Sequence, residues 1–148
     1  MLYIIMLILF LVGLDQLTKY LAVKYLTLEE EYPLKVPYLR FYLTYNTGAA
    51  LGILQGHGVL LAIIKAIAFL VFGFLLYRDG DLINNTLFTL SLIFLISGTL
   101  GNLFCRVFRR KVVDFLMFHF KNKYTPIFNL ADIYVLFGLV TFIITQLI

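Results

Sequence analysis

Residues 59–77 read VLLAIIKAIAFLVFGFLLY, nineteen positions that are apolar on every helical face and carry one charge, Lys65. As a helix at about 1.5 Å per residue, such a run reaches about 28 Å, close to the hydrocarbon thickness of a bilayer. A helix without a polar stripe is a buried or membrane-spanning one. Comparable runs lie at about 2–23, 86–104 and 127–147. They are joined by the turn Arg78-Asp79-Gly80-Asp81 and by two more polar loops, 24–58 and 105–126. With 62% hydrophobic and 14% charged residues, the chain lacks the polar surface that a soluble domain of 148 residues needs. The expected fold class is an all-α integral membrane protein with four transmembrane helices, forming one domain over residues 1–148.

Within the first loop, Leu39, Phe41, Leu43 and Tyr45 alternate with Arg40, Tyr42, Thr44 and Asn46. This period of two predicts a strand with one apolar face, part of a small sheet lying on the membrane surface. Helix 4 is expected to begin after Pro126, a residue suited to a first helical turn. The run from Leu2 to Leu14 has no basic residue before it and no small-x-small cleavage site after it, so it reads as a retained first helix. Cys105, the single cysteine, has no intramolecular partner. Half of the twelve Lys/Arg residues fall between Arg106 and Lys123, a concentration suited to anionic phospholipid headgroups. No nucleic-acid recognition motif accompanies it, so nucleic acid is not an expected partner.

Asp114 and Asp132 sit inside otherwise hydrophobic sequence, and an ionisable group at a membrane boundary is costly enough to suggest function. Two carboxyls brought together cannot both ionise comfortably, so one keeps a proton while the other stays anionic. That arrangement can deprotonate a water and protonate a departing amine. The plainer alternative pairs Asp114 with a nearby arginine and makes Asp132 a cap or anchor of helix 4. Asn129 and Asp132 are three apart on one face, and Asn102 and Arg106 four apart on another. The asparagine can donate and accept, while the arginine can hold a carbonyl, carboxylate or phosphate or else snorkel to the interface. Gly98 and Gly101 suit close helix contact. Asp15 and Lys19, also four apart, can neutralise each other near the end of helix 1. The small-residue turn Asn46-Thr47-Gly48-Ala49-Ala50-Leu51-Gly52 would let a substrate backbone approach closely. His57 and His119 lack partners at metal-ligand spacing, so neither metal nor cofactor is expected. Ser91 and Ser97 have no nearby His or Lys. Lys65, about two turns inside its helix, either snorkels or faces the bundle interior.

Together, Asp15-Gln16-Leu17-Thr18-Lys19, Asn46-Thr47-Gly48-Ala49-Ala50, Gly101-Asn102-Leu103-Phe104-Cys105-Arg106, Val112-Val113-Asp114-Phe115 and Phe128-Asn129-Leu130-Ala131-Asp132 resemble, in order and spacing, the motifs of lipoprotein signal peptidase, the bacterial type II signal peptidase. The resemblance implies a membrane aspartyl endopeptidase that cleaves prolipoproteins just before their diacylglyceryl-modified cysteine. It matches Asp114 and Asp132 to the catalytic pair, Asn46, Gly48, Asn102, Arg106 and Asn129 to substrate-site motifs, and Asp15 and Lys19 to a supporting motif. It further implies a monomer of the bacterial cytoplasmic membrane, both termini cytoplasmic, with the small sheet and active site on the extracytoplasmic side. Two features depart from this pattern. Cys105 stands where the family has an Asp before the arginine, which removes a fixed negative charge beside Arg106. The basic residues outside the spans, Arg78 excepted, lie on the long-loop side, which the positive-inside rule would place in the cytoplasm. The readings from other classes are a small proton-coupled transporter and a catalytically silent homologue that only binds precursors.

Overall fold

The computed structural model describes residues 1–48, 54–121 and 123–147. Its elements are α1 (Leu2–Tyr25), β1 (Glu31–Pro33), β2 (Leu39–Asn46), α2 (Gly58–Asp79), α3 (Thr86–Arg109), β3 (Val112–Phe120), β4 (Lys123–Tyr124) and α4 (Leu130–Thr145). The first three helices are long and apolar enough to cross a membrane, and α4 is shorter at 16 residues. Large apolar side chains such as Ile5, Leu9, Phe10, Ile63, Leu70, Phe74, Leu136 and Ile143 cover the outside of the bundle. The internal packing surface is provided mostly by α3, which touches each of the other helices. Leu92, Ile93, Leu95 and Ile96 form its core with Ile4, Ile8, Leu11, Leu76 and Tyr134.

Helices in lipid gain little from hydrophobic burial against one another, so close backbone approach matters more. A Cβ on Gly98 would collide with the Ala131 carbonyl and Val135, and one on Gly138 would lie 2.9 Å from the Leu95 nitrogen and the Ser91 carbonyl. These two glycines set the α3–α4 distance. Gly101 does the same for α1: an added Cβ would stand 2.5 Å from Asp15 Oδ2.

The strand expected at Leu39–Asn46 is present as β2, although Leu43 is its only fully buried residue. It belongs to an antiparallel sheet of order β1-β2-β3-β4. The apolar run Val112–Phe118, read from sequence as part of a polar loop, is most of strand β3. Several helix ends also move. Helix α3 continues through Cys105 and Arg106 to Arg109 and stops where Arg110 turns left-handed at φ 57°. The polar tail can remain helical because every intrahelical backbone bond is kept whatever the side chains. Helix α4 starts at Leu130 rather than after Pro126. Phe128 instead bonds to Leu116 of β3 through its backbone N–H at 2.9 Å and its carbonyl at 2.8 Å. The chain is therefore extended until Asn129, whose side chain begins the helix.

Candidate active site

Asp114 lies on β3, opposite Thr44 of β2, and Asn46 two residues further along β2 shares its face. The β2–β3 register shifts between Phe41 and Thr44, just before this face. Asn46 Nδ2 donates to Asp114 Oδ2 at 3.0 Å. The other oxygen, Oδ1, accepts from Asn129 Nδ2 at 2.5 Å. No ion pair joins Asp114 to an arginine among the described residues. Asp114 as a whole is 2% exposed. Burial first, and the neighbouring Asp132 charge second, raise its pKa to about 6, against the opposing hydrogen bonds from Asn46 and Asn129.

Asp132 arrives from α4. It is the third helical residue, in the first turn of α4, and it forms a capping box with Asn129. Its N–H donates to Asn129 Oδ1 at 3.1 Å, and its Oδ2 accepts the Asn129 N–H at 3.1 Å. Asp132 therefore caps α4, as one of the two sequence readings had it, and it also lines one cavity with Asp114. Asn129 touches both carboxyls and is fully buried.

Behind the pair lies a continuous polar network. Asn102 of α3 donates through Nδ2 to Asp132 Oδ1 at 2.8 Å. Its Oδ1 accepts from Asn129 Nδ2 at 3.2 Å and from Lys19 Nζ at 2.9 Å. Lys19 also pairs with Asp15 Oδ2 at 2.9 Å, with both side chains at 0% exposure. Asp15 Oδ1 accepts the Ala131 N–H at 3.0 Å, tying α1 to the start of α4. Sequence spacing anticipated the Asp15–Lys19 pair, but only the fold shows that it orients Asn102. An ammonium on Oδ1 leaves the Asn102 amide N–H₂ facing Asp132.

Arg106 is 8% exposed and donates through Nη2 to the Gly48 carbonyl at 2.6 Å. Gly48 is itself buried, and its N–H donates to Asn46 Oδ1 at 2.8 Å. Nε and Nη1 of Arg106 find no partner among the described residues. Cys105 is fully buried, and its Sγ lies 3.8 Å from the Gln16 side-chain amide. The arginine is thus held by a backbone carbonyl from the β2 turn in place of a neighbouring carboxylate. Ala49 to Gly52 of that turn lie outside the described residues.

A cavity of about 370 Å³ is lined by Asp114, Asp132, Asn46, Asn102, Arg106 and Lys65, among others. A second, about 840 Å³, runs between α2 and α3 along Val59, Ala62, Ile63, Ala66, Leu103 and Val107. Arg106 lines both. His57 and His119 fall elsewhere: one precedes α2, and the other stacks on Tyr124 at 4.2 Å between ring centres. Ser91 and Ser97 bond to helix carbonyls.

Comparison with known proteins identifies the chain independently of this geometry. The family described as signal peptidase (SPase) II matches residues 7–148. A lipoprotein signal peptidase of Clostridium novyi (strain NT) is 36% identical over 137 residues, 90% of each chain. One of Thermodesulfovibrio yellowstonii is 40% identical over 134 residues, covering 90% of this chain and 87% of the relative. A solved structure described as a bacterial membrane enzyme superposes with a TM-score of 0.88 at 30% identity, covering 98% of this chain and 87% of the other. The chain belongs to the signal peptidase II family.

Proposed function

We propose that this protein is a membrane-embedded aspartyl endopeptidase that removes the signal peptide of prolipoproteins just before the diacylglyceryl-modified cysteine. The observation that carries the reading is the single cavity lined by both Asp114 and Asp132, with Asn129 bonded to each. In the reaction, the ionised carboxyl takes a proton from water and the oxygen attacks the scissile carbonyl carbon. The protonated carboxyl gives its proton to the departing amide nitrogen, the C–N bond breaks, and the modified cysteine becomes a new N-terminus. Asn46 and Asn102 hold the carboxyls, Lys19 and Asp15 hold Asn102, and Arg106 with Gly48 positions the substrate. The apolar groove that shares Arg106 with the cavity supports a substrate carrying acyl chains. The protein acts as one membrane domain and as a monomer.

The protein sits in the bacterial cytoplasmic membrane among its phospholipids, with α4 as the fourth crossing and both termini cytoplasmic. The sheet and aspartates then lie on the extracytoplasmic side, where secreted precursors present their cleavage sites. With Cys105→Ser as background, cysteines at Tyr42 or Thr44 should react with membrane-impermeant thiol reagents added from outside. Labelling from the cytoplasmic side alone would reverse the orientation and favour the distribution of basic residues.

The direct test is incubation of purified protein in detergent with a lipidated precursor, followed by mass analysis. Cleavage immediately before the modified cysteine is expected. Binding without cleavage would indicate a silent homologue, and neither outcome would leave the transporter reading. In the same assay, Arg106→Ala and Asn129→Ala should each lower kcat/KM by about 10- to 100-fold without abolishing turnover. Equal losses for lipidated precursor and unlipidated peptide would count against a lipid-specific role for Arg106.

A further inference from the structure

The groove of about 840 Å³ between α2 and α3 is polar at one end and apolar along its length. Val59, Ala62, Ile63 and Ala66 form its wall on α2, a stretch of about 10 Å at about 1.5 Å per residue. Val59, Ile63 and, on the facing helix, Val107 are exposed, so the groove opens at the side of the bundle. Its polar end lies where α2 begins and α3 ends. A Cβ on Gly58 would stand 3.7 Å from the Arg110 carbonyl, so these two helix ends touch. Arg106 and Arg110, four apart on α3, both line the groove. Nη2 of Arg106 is bonded to Gly48, but Nε and Nη1 are buried and have no partner among the described residues. The N–H groups of Gly58, Val59 and Leu60 open α2 without an acceptor among the described residues. His57 supplies no side-chain cap, and the first turn holds no acidic residue. No carboxylate is among the described residues that line the groove.

A buried guanidinium with unmade hydrogen bonds is costly, and an arriving acceptor removes that cost. Two arginines and the positive end of a helix, with no carboxylate between them, suit an anion, and a phosphate takes guanidinium donors in pairs. An anion alone would leave the apolar wall beyond it unexplained. A phosphate at the helix ends with an acyl chain running down the helices matches both parts. We propose that this groove binds an anionic phospholipid, its phosphate between Arg106, Arg110 and the start of α2 and one acyl chain along the α2–α3 wall, and that the substrate's acyl chains enter by displacing it. The displacement rests on the function proposed above. The diacylglyceryl-modified cysteine carries no phosphate, so the charged end of the groove serves the resident lipid.

The test is native mass spectrometry of the purified protein in non-ionic detergent, titrated with phosphatidylglycerol, with diacylglycerol of the same chains, or with inorganic phosphate. Phosphatidylglycerol should bind about tenfold more tightly than diacylglycerol, because only it meets the guanidinium groups. Arg110→Gln should weaken it about fivefold, the effect of one basic residue at an anionic lipid. Ala62→Phe, which fills the wall, should weaken it by a similar factor, and thermal melts check that both variants fold. Equal binding of the two lipids, or an affinity unmoved by Arg110→Gln, would overturn the site. Inorganic phosphate bound as tightly as the lipid would overturn the part given to the groove. In the cleavage assay, phosphatidylglycerol should raise KM for a lipidated precursor and leave kcat unchanged, beyond the effect of the same mole fraction of diacylglycerol. A KM unmoved at saturating phosphatidylglycerol would overturn the displacement. Lipid binding is measured without substrate, so a protein that binds the lipid but cleaves nothing would count against the peptidase reading alone.

Discussion

Replacing Asp114 or Asp132 with asparagine should lower cleavage of a lipidated precursor by about a thousandfold or more while leaving the protein folded. Asparagine keeps the size of the side chain and one acceptor but can neither take a proton from water nor give one to the leaving nitrogen. In the proposed mechanism both carboxyls are needed, one to take the proton from water and the other to give a proton to the leaving nitrogen. Folding should survive in each case: the α4 cap retains Asn129, and Asp114 is held from two sides by amide groups that a third amide can partly satisfy. A second readout separates chemistry from stability. Because the folded state raises the Asp114 pKa to about 6, the folded protein binds this proton more tightly than the unfolded chain does. Stability from this group is present at low pH and falls as pH rises from about 4 to about 6. Asp114→Asn lacks that dependence, so melting temperatures should move in its favour, relative to the parent, across that window. Near-normal turnover by either variant would remove the pair from the mechanism, and parallel melting curves across the window would contradict the raised pKa.

Lys19→Met should be the most destabilising of the substitutions considered. Both members of the Asp15–Lys19 pair are at 0% exposure. Removing one partner leaves a buried charge uncompensated, at a cost of about 3–5 kcal/mol. Asp15 would keep donors from Gln16 and the Ala131 backbone, which soften the loss without replacing the charge. The double variant Asp15→Leu/Lys19→Met should recover much of the stability, because no lone charge remains. Its activity should stay low, because Asn102 would have lost the ammonium that fixes its amide towards Asp132. Thermal melts of the two single variants and the double in one detergent measure the coupling. Additive effects would show that the pair is not a unit, and full activity in the double would show that Asn102 needs no such anchor.

The helices, strand β2 and the paired Asp15 and Lys19 were legible in sequence because each is a local property. A run of apolar residues is a span wherever it stands, and residues four apart share a helical face in any context. The same logic misplaced the start of α4. Pro126 suits a first helical turn, but the backbone groups of Phe128 bond across to β3, and Asn129 is the residue that can cap. It also hid β3, whose apolar run between basic residues carries no alternation because it is buried on both sides up to Phe115.

What sequence alone determined, then, was which segments form apolar helices and which polar residues stand out beside them. Tertiary structure decided how those polar residues meet. Asn129 bridges two carboxyls that are 18 positions apart in sequence, and Asn102 is oriented by a lysine from another helix. Arg106 rests on a carbonyl where the family pattern has a carboxylate beside it, and Lys65 faces the cavity rather than lipid. Hydrophobicity acts through composition along the chain and is read residue by residue. Hydrogen-bond partners depend on distances of about 3 Å between atoms remote in sequence, which exist only once the helices have packed.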